Sequence, residues 1–256
     1  MEDRVKPLDG VRNFRDFGGY ATEDGRRVAT GRLFRAGHFG EATDADLAFI
    51  DGLGIEFQLE LRRPAERERQ PNKWSPEEVI FSDIGADGEG AHIAYLQQPE
   101  LTEDGAHGYM LDYYRDAPFV DRHVELYQKW FDRLGRTDGA ALVNCAAGKD
   151  RTGICCALTL MVLGVDDETA ADDYILTNSA VDLEARLPEA KRTMEAYVGK
   201  PLDVSVMKPF MGVHAEYLQT AFAMMSERHG DPLTYARDVL GVDDALTEQI
   251  RDRFLI

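Results

Sequence analysis

Two side chains that could act together on an anion, Cys145 and Arg151, bound the segment CAAGKDR. Between them, Ala146, Ala147 and Gly148 are small enough for the backbone to curl until several N–H groups face one point. A helix beginning just after this loop would direct its N-terminal dipole at the same point. Arg151 could bind two phosphate oxygens through its planar guanidinium. The segment therefore predicts an anion-binding loop with a nucleophilic thiolate at its floor.

Hydrolysis of a phosphate monoester suits this set of groups. Cys145 would attack phosphorus in line and form a cysteinyl-phosphate, while the loop and Arg151 stabilise the charge on the equatorial oxygens. A general acid would protonate the leaving alcohol, and a water would then clear the intermediate. Thr152 could hydrogen-bond to the sulfur and help it leave. This chemistry requires no metal and no other cofactor.

The phosphate-binding loop of ATP-binding proteins is the competing motif. It requires Gly-x4-Gly-Lys followed by Ser or Thr. Here Asp150 follows the Gly148-Lys149 pair, and Val143 stands where the first glycine belongs. The ATP-binding motif therefore fails at two positions.

The segments on either side of the loop indicate how it is positioned. Residues 139–145 are a short apolar stretch typical of a strand, and residues 152–164 are typical of an apolar helix. Upstream, the patterns predict short strands and loops over 11–37, a helix over 41–54, strands over 55–61 and 78–84, and an amphipathic helix over 119–134. Residues 85–118 show helical fragments at best, and the chain beyond the loop is almost wholly helical. Strands alternating with helices predict an α/β layer fold, and no linker divides residues 1–256 into two domains.

Composition limits the partners of the chain. A net charge of −18 over 256 residues argues against nucleic acid and anionic membranes as general partners, so an anionic substrate needs a local positive pocket. No apolar run is long enough to span a bilayer, and the N-terminus has no apolar signal core. The three clustered cysteines do not form a disulfide framework. We therefore expect a cytoplasmic protein in which Cys155 and Cys156 are small core residues.

The loop resembles that of the cysteine-based protein tyrosine phosphatases. Its Gly-Lys-Asp-Arg-Thr-Gly form is similar to the atypical bacterial PtpB-type family of tyrosine/serine and lipid phosphatases. Other patches of the chain are similar to the same family, namely NFRDFGGY at 13–20, GRLFRAG at 31–37, LELRRPAERE at 59–68 and HGDPLTYARDVLGV at 229–242. The resemblance implies a three-layer fold with a central, mainly parallel sheet, helices on both faces and a helical lid near residues 86–118.

The resemblance also implies a substrate class and further roles. Phosphorylated proteins, with phosphotyrosine or phosphoserine/threonine, or phosphoinositides would be the substrates. Asp150 would be the general acid, because the family places an aspartate at this point of the loop, and Lys149 could hold a second phosphate or a headgroup.

Rival acids are Asp83 after the strand at 78–84, and Asp87 and Asp112 in the lid. Four further charged residues are expected to brace the loop, namely Arg15, Asp16, Arg35 and Arg62.

Two positions depart from the family pattern. Asn144 replaces the usual histidine before the nucleophile, and Glu60 replaces an aspartate. Asparagine can hydrogen-bond to the backbone but cannot carry charge, so the substitution bears on turnover and on the pH optimum. Asn144 supports an alternative function, that of a pseudophosphatase that binds phosphorylated partners without turnover. A third alternative is a redox sensor that acts through oxidation of Cys145 to a sulfenic acid.

Overall fold

A five-stranded sheet lies at the centre of the chain, whose computed structural model describes residues 4–84 and 91–256. The strands are β1 (Arg15–Asp16), β2 (Leu33–Ala36), β3 (Ile55–Glu60), β4 (Glu78–Ile80) and β5 (Ala140–Asn144). Their order in the sheet is β1-β2-β5-β3-β4. Strands β2, β5, β3 and β4 run parallel, and only β1 pairs in the antiparallel direction. The predicted α/β fold with a mainly parallel sheet is therefore confirmed.

Helices surround the sheet and make up the C-terminal region. They are α1 (Asp44–Asp51), α2 (Pro64–Arg69), α3 (Ala91–Leu96), α4 (Glu103–Asp116), α5 (Asp121–Leu134), α6 (Asp150–Val162), α7 (Asp167–Ile175), α8 (Thr177–Ala180), α9 (Leu183–Val198), α10 (Val204–Met211), α11 (Ala215–His229), α12 (Pro232–Asp238) and α13 (Asp244–Phe254). Among the helices of these described segments, none is both long and apolar enough to cross a bilayer.

Apolar packing covers both faces of the sheet. Along β5, Ala141 and Val143 belong to the large cluster that includes α5 and α6, whereas Leu142 belongs to a second cluster that includes α1. Successive side chains of a strand point to opposite faces, so a strand buried on both sides has an almost uninterrupted apolar sequence. This explains the short apolar stretch before the loop and gives the three layers that the family resemblance implied.

Local signals set the ends of the predicted elements, with two corrections. Helix α1 begins with a capping box in which Asp46 N–H donates to Thr43 Oγ1 at 3.2 Å and Thr43 N–H donates to Asp46 Oδ2 at 2.9 Å. Strand β4 ends at Ile80, four residues before the predicted end. The amphipathic helix begins at Asp121 after a 3-10 turn. This start leaves Val120 outside the helix and 42% exposed, although the pattern placed it on the buried face.

The segment expected to hold only helical fragments contains a regular helix of 14 residues, α4. Two glycines weaken its intrinsic helix propensity. Tertiary packing compensates, because Ala106, Met110 and Tyr114 recur every four residues and are fully buried. Thr102 Oγ1 caps the helix by accepting from Gly105 N–H at 3.0 Å. Of the segment predicted as a lid, residues 86–90, and with them Asp87, lie outside the described residues.

Candidate active site

Cys145 lies at the carboxyl edge of the sheet, the edge at which parallel α/β folds bind ligands. It directly follows β5, whose last residue, Asn144, is in register with Ala36 of β2 and Glu60 of β3. The Cys145 side chain is 2% exposed and lines a cavity of about 670 Å³. Residues 145–149 form the loop that joins β5 to the N-terminus of α6. The predicted strand, loop and helix are therefore present in that order.

Contacts from the protein interior hold the carbonyl groups of this loop. Gly148 C=O accepts from Asn13 Nδ2 at 2.6 Å and from Arg35 Nη2 at 2.9 Å. Ala146 C=O accepts from His38 N–H at 3.2 Å. The expected bracing by Arg35 is thus direct, and Asn13 adds a second brace.

The same contacts determine where the loop amides point. In a planar trans peptide the N–H lies opposite the C=O. The amides that follow the two braced carbonyls, those of Ala147 and Lys149, therefore point away from the interior, and both residues line the cavity. The first N–H groups of α6 have no partner within their own helix. The mouth of the loop is therefore an array of N–H donors suited to an anion.

Gly148 has a conformation that other residues tolerate poorly. Its φ is +66°, and a Cβ built on it would lie 2.4 Å from the carbonyl carbon and oxygen of Ala36. We expect Gly148→Ala to destabilise the fold by about 2 kcal/mol or more and to abolish phosphate binding, because backbone must move. Thermal unfolding and phosphate titration measure these effects. Gly25→Ala is the matched control, since Gly25 has φ +87° with no atom within 4 Å of the added Cβ. Equal effects of the two substitutions would contradict the crowding argument.

A buried charge cluster supports the loop from below. Arg15 and Arg35 are in register on β1 and β2, both fully buried, and Asp173 of α7 binds both. Arg35 Nη1 lies 2.8 Å and Arg15 Nη2 3.4 Å from Asp173 Oδ2. Burial alone would raise the pKa of Asp173, but the two arginines outweigh it and lower the pKa below its ordinary value. The predicted bracing roles of Arg15 and Arg35 thus depend on a carboxylate from a distant helix.

Loss of this carboxylate should be costly. We expect Asp173→Asn to reduce the free energy of unfolding by about 3 kcal/mol, because two buried guanidinium groups lose their counter-ion. Since the folded state lowers the pKa of Asp173, its stabilisation is present above the ordinary carboxyl range and is lost as the pH falls through and below it. Urea unfolding at pH 7 and at several pH values below 4 checks both statements. A wild-type stability for Asp173→Asn at pH 7 would contradict them.

Arg151 is held in a fixed orientation beside Cys145. Its Nη1 and Nη2 donate to the two oxygens of Glu66, at 2.7 and 2.8 Å, and Nη1 also donates to Leu61 C=O at 3.1 Å. Burial opposes the charge of Glu66, but the bonds to Arg151 and its positive charge lower the Glu66 pKa far below its ordinary value. Glu66 belongs to α2, so this short helix positions the guanidinium over the cavity.

Of the predicted acids that the structure describes, Asp150 is the one that lines the cavity. Its Oδ1 accepts from Tyr114 Oη–H at 2.7 Å, and the Tyr114 hydroxyl in turn lies 2.7 Å from that of Tyr174. Because Tyr114 donates to the carboxylate, Tyr174 must donate to Tyr114. Oδ2 of Asp150 makes no hydrogen bond within the described part of the chain, which leaves it for a ligand.

Two of the three rival acids, Asp83 and Asp112, lie elsewhere. Asp83 is ion-paired with Arg67, and Asp112 with Arg115. Both carboxylates are about 70% exposed and outside the cavity lining. Asp121, at the first turn of α5, does line the cavity and was not predicted.

Lys149 and Thr152 are placed less simply. The Lys149 side chain is 4% exposed, and its Nζ donates to the carbonyls of Phe210 at 2.5 Å and Gly212 at 2.9 Å, at the end of α10. Its ammonium thus anchors α10 to the loop, and it also lies 3.5 Å from Oδ1 of the predicted acid Asp150. Thr152 is fully buried, and among the described residues its hydroxyl has no hydrogen-bond partner.

The cavity walls are positively charged in a strongly acidic chain. Among the described residues, four arginines and Lys149 line the cavity, against three carboxylates. In a chain with a strongly negative net charge, an anion site requires such a local positive pocket. The additional arginines are Arg63, Arg69 and Arg122. His92 and His123 also line the cavity, and burial lowers the pKa of each to about 4, so both are neutral near pH 7. Apolar side chains fill the remaining wall, namely Ile84, Leu96, Tyr113, Val120, Met194 and Phe210.

Sequence patterns missed several of these residues for different reasons. Glu66 lay within the quoted patch at 59–68 and Asn13 within the patch at 13–20, but neither residue was assigned a role. The partners of Asn13 and Asp173 gave no local signal, because they are 135 and 158 residues away. In residues 4–84 and 91–256, no group of three or more histidine, cysteine or acidic side chains is arranged to hold a metal ion.

A thiol, a loop of N–H donors and an arginine held by a carboxylate thus lie together at the carboxyl edge of a mainly parallel sheet. Comparison with known proteins shows the family. The family model described as "Tyrosine phosphatase family" matches residues 6–256. The chain therefore belongs to the tyrosine phosphatase family.

Relatives from three bacteria extend this result. A Cupriavidus necator protein that bears a tyrosine-protein phosphatase name is 32% identical, with 97% of this chain and 87% of that protein covered. The triple specificity protein phosphatase PtpB of Mycobacterium tuberculosis is 29% identical, with 96% of this chain and 98% of that protein covered. A tyrosine-protein phosphatase of Nostoc commune is 23% identical, with 86% of this chain and 72% of that protein covered. The resemblance to the PtpB-type family is thereby confirmed.

Proposed function

We propose that this protein hydrolyses phosphate monoesters through a cysteinyl-phosphate, with phosphotyrosine as its first substrate class. The supporting observation is that Cys145, the Arg151 and Glu66 pair, and Asp150 all line one cavity. Family membership supports a phosphatase acting on phosphotyrosine. The chemistry of each step follows from the groups that line the cavity.

In the first step, the Cys145 sulfur attacks phosphorus and the bond from phosphorus to the ester oxygen breaks. The loop amides and Arg151 stabilise the charge on the three equatorial oxygens. Asp150, protonated at Oδ2, donates its proton to the leaving oxygen. The tyrosine pair behind Asp150 keeps Oδ1 occupied, so Oδ2 is the oxygen directed to the ester.

In the second step, a water attacks phosphorus and gives its proton to Asp150, and the bond from sulfur to phosphorus breaks. The leaving group is a thiolate, and the Thr152 hydroxyl, buried and without a partner among the described residues, would donate a hydrogen bond to it. Phosphate departs, and Asp150 is protonated again for the next cycle. The protein's own side chains thus supply every proton transfer.

The substrate range follows from the wall of the cavity. Its apolar side chains suit an aromatic ring, whereas its arginines suit additional negative charge. We infer that phosphoserine and phosphothreonine peptides and phosphoinositide headgroups are secondary substrates, in line with the triple specificity in the name of the Mycobacterium tuberculosis relative. Helices α3 and α4 contribute His92, Leu96 and Tyr113 to the wall and would form the lid predicted near 86–118.

The experiment is a comparison of kcat/KM for one peptide sequence carrying phosphotyrosine, phosphoserine or phosphothreonine, and for a soluble inositol phosphate. We expect the phosphotyrosine peptide to be hydrolysed fastest. Faster hydrolysis of the inositol phosphate would overturn this order. Absence of hydrolysis of all four, with phosphopeptide binding retained, would favour the alternative of a phosphate-binding pseudophosphatase.

Replacement of the proposed acid gives a further test. We expect Asp150→Asn to lower kcat by about 10²-fold for an alkyl phosphate, which needs a protonated leaving group, and by less for p-nitrophenyl phosphate, which does not. Asp121→Asn is the matched control, since this carboxylate lines the same cavity from α5. If Asp121→Asn instead shows the greater dependence on the leaving group, Asp121 is the acid.

A further inference from the structure

Asn144, the residue before the nucleophile, has both polar atoms of its side chain bound. It is fully buried at the end of β5. Its Nδ2 donates to both oxygens of Glu60 at 3.2 Å, and its Oδ1 accepts from Gln58 Nε2 at 2.7 Å. Both partners lie on the neighbouring strand β3. The amide is therefore held from two sides next to Cys145.

Glu60 is itself a fixed acceptor. Arg62 donates to it from its backbone N–H at 3.0 Å and from Nη2 at 2.8 Å, and Asn72 Nδ2 donates at 2.9 Å. A carboxylate that is ion-paired in this way only accepts hydrogen bonds, so Asn144 must present its NH₂ group to it. Gln58 must in turn present its NH₂ group to Asn144. The orientation of both amides thus follows from the charge of Glu60.

This orientation leaves Gln58 Oε1 buried and, among the described residues, without a hydrogen-bond partner. A buried acceptor without a donor destabilises a fold, because it has lost its water and gained nothing in return. The orientation in which Gln58 donates to Asn144 therefore lowers the stability of the fold. Groups held at such a cost are found where function requires them.

Leu61, the residue that follows β3, contacts both Asn144 and Arg151. Leu61 N–H donates to Asn144 C=O at 2.8 Å, and Leu61 C=O accepts from Arg151 Nη1 at 3.1 Å. The end of β3 therefore connects the residue before the nucleophile with the phosphate-binding arginine. A shift of Asn144 relative to β3 would change the position of Cys145 relative to Arg151.

We propose that Asn144 is a positioning residue that, through Gln58 and Glu60, sets the placement of Cys145 relative to Arg151. The inference deepens the proposed function and rests on it. It assigns catalytic importance to Gln58, a residue outside the cavity lining. A small displacement of a nucleophile is costly in rate even where binding is unaffected.

Gln58→Met tests this with a signature that a merely structural role does not give. It removes the unpaired Gln58 acceptor but leaves Asn144 Oδ1 without its donor, so the number of buried unpaired acceptors stays the same. We therefore expect an almost unchanged Tm together with a kcat about tenfold lower and an unchanged KM. Leu59→Met is the matched control, since Leu59 is equally buried on β3 but packs in the large apolar cluster. Its kcat should remain that of the wild type.

A second readout does not depend on turnover. The rate at which iodoacetamide alkylates Cys145, followed by peptide mass spectrometry as a function of pH, reports the thiolate directly. We expect Gln58→Met to change the alkylation rate of Cys145, because Asn144 and with it the thiol are no longer held in the same place, whereas Leu59→Met should leave the rate unchanged. If the wild type fails to hydrolyse p-nitrophenyl phosphate, the proposed function fails, and the alkylation result still decides the positioning role. Wild-type kcat and alkylation in Gln58→Met would overturn the proposal, as would a kcat loss that only follows a loss of Tm.

Discussion

Replacement of Cys145 by serine is expected to lower kcat for p-nitrophenyl phosphate by at least about 10³-fold, because the hydroxyl is a far weaker nucleophile than a thiolate. Binding of inorganic phosphate should change little. The loop amides and Arg151 do not depend on the sulfur, and serine fits the space of the thiol. Initial rates measure the first effect, and isothermal titration with phosphate measures the second.

Cys156→Ser is the control for this prediction. Cys156 is a fully buried member of the large apolar cluster and lies outside the cavity lining. Burial raises the pKa of its thiol to about 12, so it is uncharged near pH 7. We expect wild-type kcat per folded molecule for Cys156→Ser. Hydrolysis by Cys145→Ser at the wild-type rate would show that the nucleophile is another group.

The second large effect is expected for Arg151→Lys, which should lower kcat/KM by about 10²- to 10³-fold. Lysine keeps the charge but loses the planar pair of donors that binds both Glu66 oxygens, so it cannot be held over the cavity in the same way. The loss should fall mainly on kcat, since the equatorial oxygens gain charge in the transition state. Steady-state kinetics on p-nitrophenyl phosphate give both values.

Glu66→Gln separates the binding of phosphate by Arg151 from the placement of Arg151. The amide can still accept from one guanidinium nitrogen, so we expect only about a tenfold loss of kcat/KM. Equal losses for Arg151→Lys and Glu66→Gln would mean that Arg151 acts only through its pairing with Glu66. That result would contradict its assigned contact with phosphate.

Local signals were sufficient to predict the loop and its flanking elements. The small residues after Cys145, the apolar run before it and the apolar helix after it are all contiguous in sequence, and each has a direct physical meaning. The α/β layer fold followed from the alternation of strands and helices, and the family resemblance implied the mainly parallel sheet. Arg15 and Arg35, two of the charges expected to brace the loop, were likewise visible in the sequence, although their partner Asp173 was not.

What was missed depends on contacts between distant parts of the chain. Asp173 neutralises Arg15 and Arg35 although it lies 158 and 138 residues further along the chain. No periodicity in the sequence indicates ion pairs between residues so far apart. The direction of the Lys149 side chain depends on where α10 ends. Helix α4 was underestimated because its two glycines reduce helix propensity, whereas buried packing outweighs propensity.

Direct observation of the covalent intermediate tests the central claim most sharply. Wild-type enzyme and Cys145→Ser are mixed with a phosphotyrosine peptide, quenched in acid within milliseconds, digested and measured by mass spectrometry. We predict one added phosphoryl group on the wild-type peptide that contains Cys145, and none on the same peptide of the variant. Hydrolysis by the wild type with no phosphoryl group on Cys145 at any quench time, or with one on another residue, would contradict the account.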